Sequence, residues 1–116
     1  MTMANDADAI PASQPVFLQS LVAPRATGAA SRVLAKTTGG TVTLVAFSHG
    51  QRLPAHTPPV DALALVLEGS LRLTIGDTPV VATPGTVVRL PAGVPHAVEA
   101  TVASRMLLVL LRDLPR

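Results

Sequence analysis

The chain has 116 residues, of which 48% are hydrophobic and 14% charged, with no cysteine and a formal net charge of +2. This length accommodates one ordinary domain, and a chain so apolar and so weakly charged must bury a core rather than stay disordered. The absence of cysteine excludes disulfides, thiolate metal sites and a cysteine nucleophile, and leaves histidine, carboxylates and the backbone as the available chemistry.

The N-terminal part of the chain divides into an arm and the start of a domain. Residues 1–15 mix Asp, Ala, Ser, Gln and Pro without a hydrophobic period, which predicts a flexible arm ahead of a domain at residues 16–116. The first strands are predicted at Arg32–Lys36 and Thr41–Phe47. Between them, the Gly39-Gly40 pair predicts a tight hairpin whose turn needs positive φ angles.

Six more short strands follow at regular spacing, each bounded by Gly, Pro, Asp or Ser. They are predicted at Ala62–Leu67, Leu71–Ile75, Val80–Ala82, Thr86–Leu90, His96–Ala100 and Met106–Leu111. Many short strands without an amphipathic helix are typical of an all-β antiparallel sandwich or closed barrel, and they exclude an α/β fold.

Two of the predicted strands, 62–67 and 106–111, are apolar on both faces. At ~25 cal/mol per Å² of apolar area, a few exposed leucines on the outer face would leave several kcal/mol of burial unused. We therefore expect a homodimer that covers this face, or an N-terminal segment folded across it. A thick two-layer core is the remaining alternative.

Charge and targeting features argue against several partner classes. The eight arginines stand singly along the chain instead of clustering with stacking aromatics, so we expect no nucleic-acid binding. Asp6 and Asp8 lie where a signal peptide needs basic residues, and the apolar runs are far shorter than a membrane span of ~20 residues. We expect a cytoplasmic protein without membrane contact.

Two histidine-containing stretches carry the most specific pattern in the chain. The residues that form it are Gly50, His56 and Gly69 in the first stretch, and Gly85, Pro91, Gly93 and His96 in the second. Their spacing resembles the two motifs of the cupin superfamily, over roughly residues 41–112, and the short spacer resembles small single-domain bacterial cupins. The resemblance implies an antiparallel jelly-roll, or double-stranded β-helix, barrel with both histidines inside.

The same resemblance shows which metal ligands are missing. Cupin metal sites use three histidines and one glutamate, whereas Pro58 stands here at the second histidine position, Ala62 at the glutamate and Ala100 at the asparagine of the second motif. His56 and His96 alone remain, and two protein ligands hold a metal weakly. We therefore expect a divalent transition metal (Zn, Fe, Ni or Mn) at low occupancy, if one binds.

A third ligand could come from Asp61 or from His49. Asp61 would enter the barrel only if its strand slipped by one residue, because side chains alternate along a strand. The apolar bulk of Leu63 and Leu65 favours the slipped register, whereas the spacing to Gly69 favours the one implied by the resemblance. We adopt the latter.

These observations predict a small-molecule site in the barrel interior. The residues expected to line it are His56, His96, Ala62, Ala64, Val66 and Val98. The few aromatic residues suggest a roomy, apolar cavity for an apolar or carboxylate-bearing ligand. A metal-dependent enzyme of dioxygenase, isomerase or decarboxylase type using His56 and His96, and a ligand-sensing module, remain alternatives, because the superfamily hosts unrelated chemistries.

Overall fold

A computed structural model describes residues 9–26 and 29–113 of the chain. In this part a 3-10 helix at Leu18–Ser20 precedes nine β-strands. The strands are β1 (Ala30–Thr37), β2 (Gly40–Phe47), β3 (Arg52–His56), β4 (Asp61–Glu68), β5 (Leu71–Ile75), β6 (Thr78–Ala82), β7 (Val87–Leu90), β8 (His96–Ala100) and β9 (Ser104–Leu111). No helix in these residues has the length and apolarity to cross a membrane.

The strands form two antiparallel sheets that face each other. One has five strands in the order β1-β2-β9-β4-β7, and the other has four in the order β3-β8-β5-β6. Non-consecutive neighbours in both sheets mean that the chain crosses repeatedly between layers, as in a jelly roll. The all-β, single-domain jelly-roll prediction is confirmed.

The eight predicted strands are all present, but the ninth, β3, escaped prediction. Leu53 is the only residue of β3 that is not exposed, so β3 lacks the alternation that marks a half-buried strand. It also contains Pro54, which a strand tolerates at a sheet edge, and β3 is an edge strand.

The hairpin between β1 and β2 corrects one expectation. Thr37 pairs with Gly40, and neither Gly39 nor Gly40 has the predicted positive φ. Gly40 is required for space instead, because a Cβ atom there would collide with the backbone carbonyl oxygen of Leu110 on β9. The glycine therefore permits close approach between strands rather than an unusual backbone conformation.

The register of β4 is the one that the family resemblance implied. Ala62, Ala64 and Val66 are 0–2% exposed and belong to the core between the sheets. Leu63 and Leu65 alternate with them and are only half-buried on the outer face. The preceding residue, Asp61, is likewise outside the core cluster.

The N-terminal segment makes hydrogen bonds to β1 and β9. The Ile10 N–H donates to the Leu34 carbonyl (3.1 Å), and Arg105 donates to the Val22 carbonyl (3.3 Å). Leu44 is fully buried although it is outside the central core cluster, so this side of the sheet is covered. The expected flexible arm falls partly on residues 1–8, which lie outside the described residues.

Candidate functional site

The two motif histidines meet at the edge of the four-stranded sheet. His96 opens β8 and pairs with His56 on β3 and with Ile75 on β5. Their ring centroids are 4.5 Å apart and the ring planes are inclined by 71°, which is an edge-to-face contact. His96 is only 4% exposed, whereas His56 is exposed. One imidazole therefore belongs to the interior and the other to the surface.

The turn before β8 fixes the position of His96. Gly93 has a φ of 75°, and its N–H donates to the Pro58 carbonyl (3.0 Å) in the segment that follows His56. The Gly76 N–H donates to the Pro95 carbonyl (2.8 Å) immediately before His96. These hydrogen bonds join the turn to the chain on both sides of it. The glycine and prolines of the second motif therefore fix the position of the His96 ring.

One ring nitrogen of His96 is buried without the hydrogen-bond partner that such an atom normally has. Its Nδ1 is buried and has no hydrogen-bond partner among the described residues. Buried polar groups in folded proteins nearly always have partners, so each exception calls for a reason. An unpaired donor or acceptor costs about 1–3 kcal/mol, which makes this atom expensive to keep unless something binds to it.

The surroundings also set the protonation state of His96. Burial lowers the pKa of His96, the nearby charge of His56 lowers it further, and the Val94 backbone beside the ring acts in the opposite sense, although Nδ1 makes no hydrogen bond of good geometry. With a pKa below the ordinary value of 6.5, the ring is neutral at pH 7. A neutral imidazole has one N–H donor and one lone-pair acceptor, so Nδ1 offers one of these to a ligand.

The other residues predicted to line the pocket lie on the inner side of the barrel. Ala62, Ala64, Val66 and Val98 are each at most 4% exposed and are part of the hydrophobic core cluster. The structure thus places them on the same side as His96, packed among core side chains. A ligand cavity beside the histidines stays a prediction.

Asp61 is not brought to the histidine pair. Its Oδ2 accepts from Arg89 Nη2 (2.9 Å) and its Oδ1 accepts from the Ala92 N–H (2.7 Å). The Ala92 hydrogen bond and the Arg89 guanidinium hold the pKa of Asp61 below its usual value of 3.8. Both carboxylate oxygens are therefore engaged in fixing the turn that follows β7.

His49 is placed at the opposite end of β8. The N–H of its neighbour Gly50 donates to the Ala100 carbonyl (2.8 Å), four residues along β8 from His96. At about 3.3 Å per residue this corresponds to about 13 Å along the strand. The structure consequently does not bring His49 to the pair.

The residues present do not fit the metal that the cupin resemblance implies. Among residues 9–26 and 29–113, no three His, Cys, Asp or Glu side chains are close enough together to hold a metal ion. Pro58 and Ala62 occupy the positions of the absent family ligands. Two imidazoles make an incomplete donor set for Zn or a similar ion, and we derive no chemistry through a resident metal.

A cleft on the outer face of the four-stranded sheet was not predicted. It has a volume of about 390 Å³, and Arg52, Arg72 and Thr74 line it together with small apolar residues. Glu99 pairs in register with both arginines and forms an ion pair with Arg52 (2.9 Å). The outward alternation of Arg72 in its strand was the sequence signal for this polar face.

Comparisons with known proteins agree with the fold. A family model described as "Cupin domain" matches residues 43–111. No curated protein matches the chain. A conserved protein of unknown function from Streptococcus pyogenes is similar in structure, with a TM-score of 0.84, 28% identity, and coverage of 91% of this chain and 93% of that one.

Two further solved structures are similar. A cupin superfamily protein from Desulfitobacterium hafniense has a TM-score of 0.82 and 28% identity, with coverage of 90% of this chain and 95% of that chain. A cupin 2 conserved barrel domain protein from Leptotrichia buccalis has a TM-score of 0.75 and 32% identity, with coverage of 79% of this chain and 45% of that chain. The similarity supports the barrel and names no ligand.

Proposed function

The chain belongs to the cupin domain family, and on that premise we propose that it binds a small organic molecule at the barrel end marked by His56 and His96. The observation that carries the proposal is the buried Nδ1 of His96, which has no partner among the described residues. A ligand atom that bonded to Nδ1 would remove its desolvation penalty and would gain affinity in return.

The chemistry of the two rings indicates the class of ligand. A carboxylate oxygen of the ligand would accept from Nδ1–H in one tautomer of His96, and a hydroxyl would donate to Nδ1 in the other. The small apolar side chains of Ala62, Ala64 and Val66 lie on the same inner side of the barrel and suit an apolar body. We therefore favour a compact apolar molecule with one carboxylate or hydroxyl group.

His56 has a different task in this proposal. Because its ring is exposed and stands edge-on to His96, it offers a polar surface where a ligand would enter. A ligand seated there would contact one buried and one solvated imidazole, so its polar group would face outward and its apolar part inward. This arrangement needs no metal ion.

Nuclear magnetic resonance of the histidine ring nitrogens tests the proposal, with benzoate and benzyl alcohol as probes. We expect the His96 Nδ1 resonance to move saturably with at least one probe, and the exposed His49 to stay unchanged. In a His96→Leu variant the response is followed at the ring nitrogens of His56, 4.5 Å away in the native protein, and should be lost there, whereas a His49→Leu variant should keep it. Absence of any saturable change at His96, or an equal response in the His96→Leu variant, would contradict the proposal.

A further inference from the structure

We propose that the cleft on the outer face of the four-stranded sheet binds a small organic monocarboxylate. This cleft is separate from the site at His96, because side chains alternate along β8: His96 is buried toward the barrel interior, and the next residue, Ala97, lines the outer cleft. Nothing in the cleft depends on a ligand at His96.

The outward side chains of three neighbouring strands form the cleft. Arg52 on β3, Glu99 on β8 and Arg72 on β5 lie opposite one another and form a charged row. In the next outward row Thr74 pairs with Ala97, so an alanine leaves space beside the charges. The body of a ligand can therefore rest on Ala97 while its polar group reaches the charged row.

The irregular pairing of β3 shapes the other side of the cleft. Three residue steps from Leu53 to His56 on β3 face two steps on β8, so one extra residue forms a bulge there. A bulge bends its strand and increases the local twist. Pro54 and Ala55 lie in this bulge and line the cleft with small apolar surface. The volume of about 390 Å³ falls within the range of small-molecule sites.

The charges of the row determine the sign of the ligand. Arg52 Nε donates to Glu99 Oε2 (2.9 Å), so one arginine compensates the carboxylate. Arg72 stands on the other side of Glu99, and its side chain has no hydrogen bond or ion pair with any residue in 9–26 and 29–113. Two positive charges and one negative charge line the cleft, and one monoanion would neutralise the remaining positive charge.

The donors on β5 suit a carboxylate. Arg72 and Thr74 are two residues apart and lie on the same face of the strand, about 7 Å from each other along it. A guanidinium donates two parallel N–H bonds to a carboxylate, and a threonine hydroxyl can donate a third hydrogen bond. The carboxylate then lies over β5, and the apolar body extends across Ala97 toward Pro54 and Ala55, about 10 Å away over two strand spacings.

Nuclear magnetic resonance of the Arg72 Nε–H and of the Ala97 amide tests this site, with hydrocinnamate as the probe. We expect both resonances to move saturably, with a Kd in the millimolar range, as is usual for a ligand of about 11 non-hydrogen atoms. Hydrocinnamamide has the same shape without the charge, and acetate has the charge without the apolar body. Each should bind at least about tenfold more weakly than hydrocinnamate.

Three variants separate this cleft from a general effect of charge. Arg72→Gln, followed at the Ala97 amide, should weaken hydrocinnamate at least about tenfold. Lys36→Gln is the matched control, because it removes one positive charge from an exposed position on β1 in the other sheet, and it should leave the Kd unchanged. Ala97→Phe fills the cleft and should abolish the response at Arg72. The amide spectra of the variants verify that each is folded.

Several results would overturn the proposal. These are the absence of a saturable change at Arg72 and Ala97, equal binding of hydrocinnamamide or acetate, equal weakening by Lys36→Gln and Arg72→Gln, and unchanged binding in Ala97→Phe. His96→Leu should keep the full response at Arg72. Loss of that response would place the probe in the barrel interior instead, which contradicts an outer site without affecting the function proposed for His96.

Discussion

Replacing His96 by leucine should make the protein more stable. The substitution removes a buried Nδ1 that has no partner among the described residues and fills the same space with an apolar group. Relief of an unsatisfied buried polar atom is worth about 1–3 kcal/mol. An imperfect fit of the leucine side chain would reduce this gain in stability by up to about 1.5 kcal/mol. Taking the middle of both ranges, we expect the free energy of unfolding to rise by about 1 kcal/mol.

Urea denaturation at pH 7.5 measures this change, at one fixed protein concentration because association would add to apparent stability. For a domain of this size, about 1 kcal/mol also corresponds to a rise in Tm of roughly 4 °C. His49→Leu is the control: it replaces an exposed histidine and should change stability by less than about 0.5 kcal/mol. A loss of more than about 1 kcal/mol in His96→Leu would show that Nδ1 is satisfied in the native protein and would refute the reasoning.

Three further predictions follow from the same geometry. Because the pKa of His96 is lowered in the folded protein, the unfolded state takes up the proton of this histidine first as pH falls below 6.5. The unfolding free energy of the wild type should then decline more steeply than that of His96→Leu, by up to about 1.4 kcal/mol per pH unit. Identical acid profiles of the two proteins would argue against a lowered pKa of His96. Gly69→Ala should lower the unfolding free energy, measured by urea denaturation, several times more than Gly85→Ala. Both glycines have φ above +80°, but only at Gly69 would a Cβ collide with Ser104 and the Ala103 carbonyl. Equal losses would mean that backbone strain, and not the collision, causes the destabilisation. Elemental analysis of untagged protein should find well below one equivalent of Zn, Fe, Ni or Mn, whereas a full equivalent lost in His96→Leu would mean that the histidine pair does hold a metal.

Much of the fold could be predicted from local patterns. Short apolar segments punctuated by Gly and Pro located eight strands, because burial on a pleated sheet imposes alternation that the sequence displays directly. β3 escaped because it is an exposed edge strand with Pro54 in its middle. Gly40 was predicted in the correct hairpin, but because of a positive φ that it does not have. Its actual role, close approach to Leu110, depends on a strand that comes 70 residues later in the chain.

The site could be predicted only in part. Spacing in the two motifs located His56 and His96, and the structure joins their rings at 4.5 Å. The roles of Asp61 and His49 could not be read in this way, because they depend on which partners the turns bring near. Asp61 is engaged by Arg89 and the Ala92 N–H, which stand about 30 residues away in the chain. The missing partner of Nδ1 is likewise a property of packing and not of any local pattern.

A crystal structure of the untagged protein grown with benzoate tests the binding site most directly. We expect electron density for the probe at the barrel end, with a carboxylate oxygen about 2.7–3.2 Å from His96 Nδ1 and with His56 beside it. Density for benzoate only elsewhere, with Nδ1 still buried and unpartnered or bonded to a protein atom instead, would contradict the account.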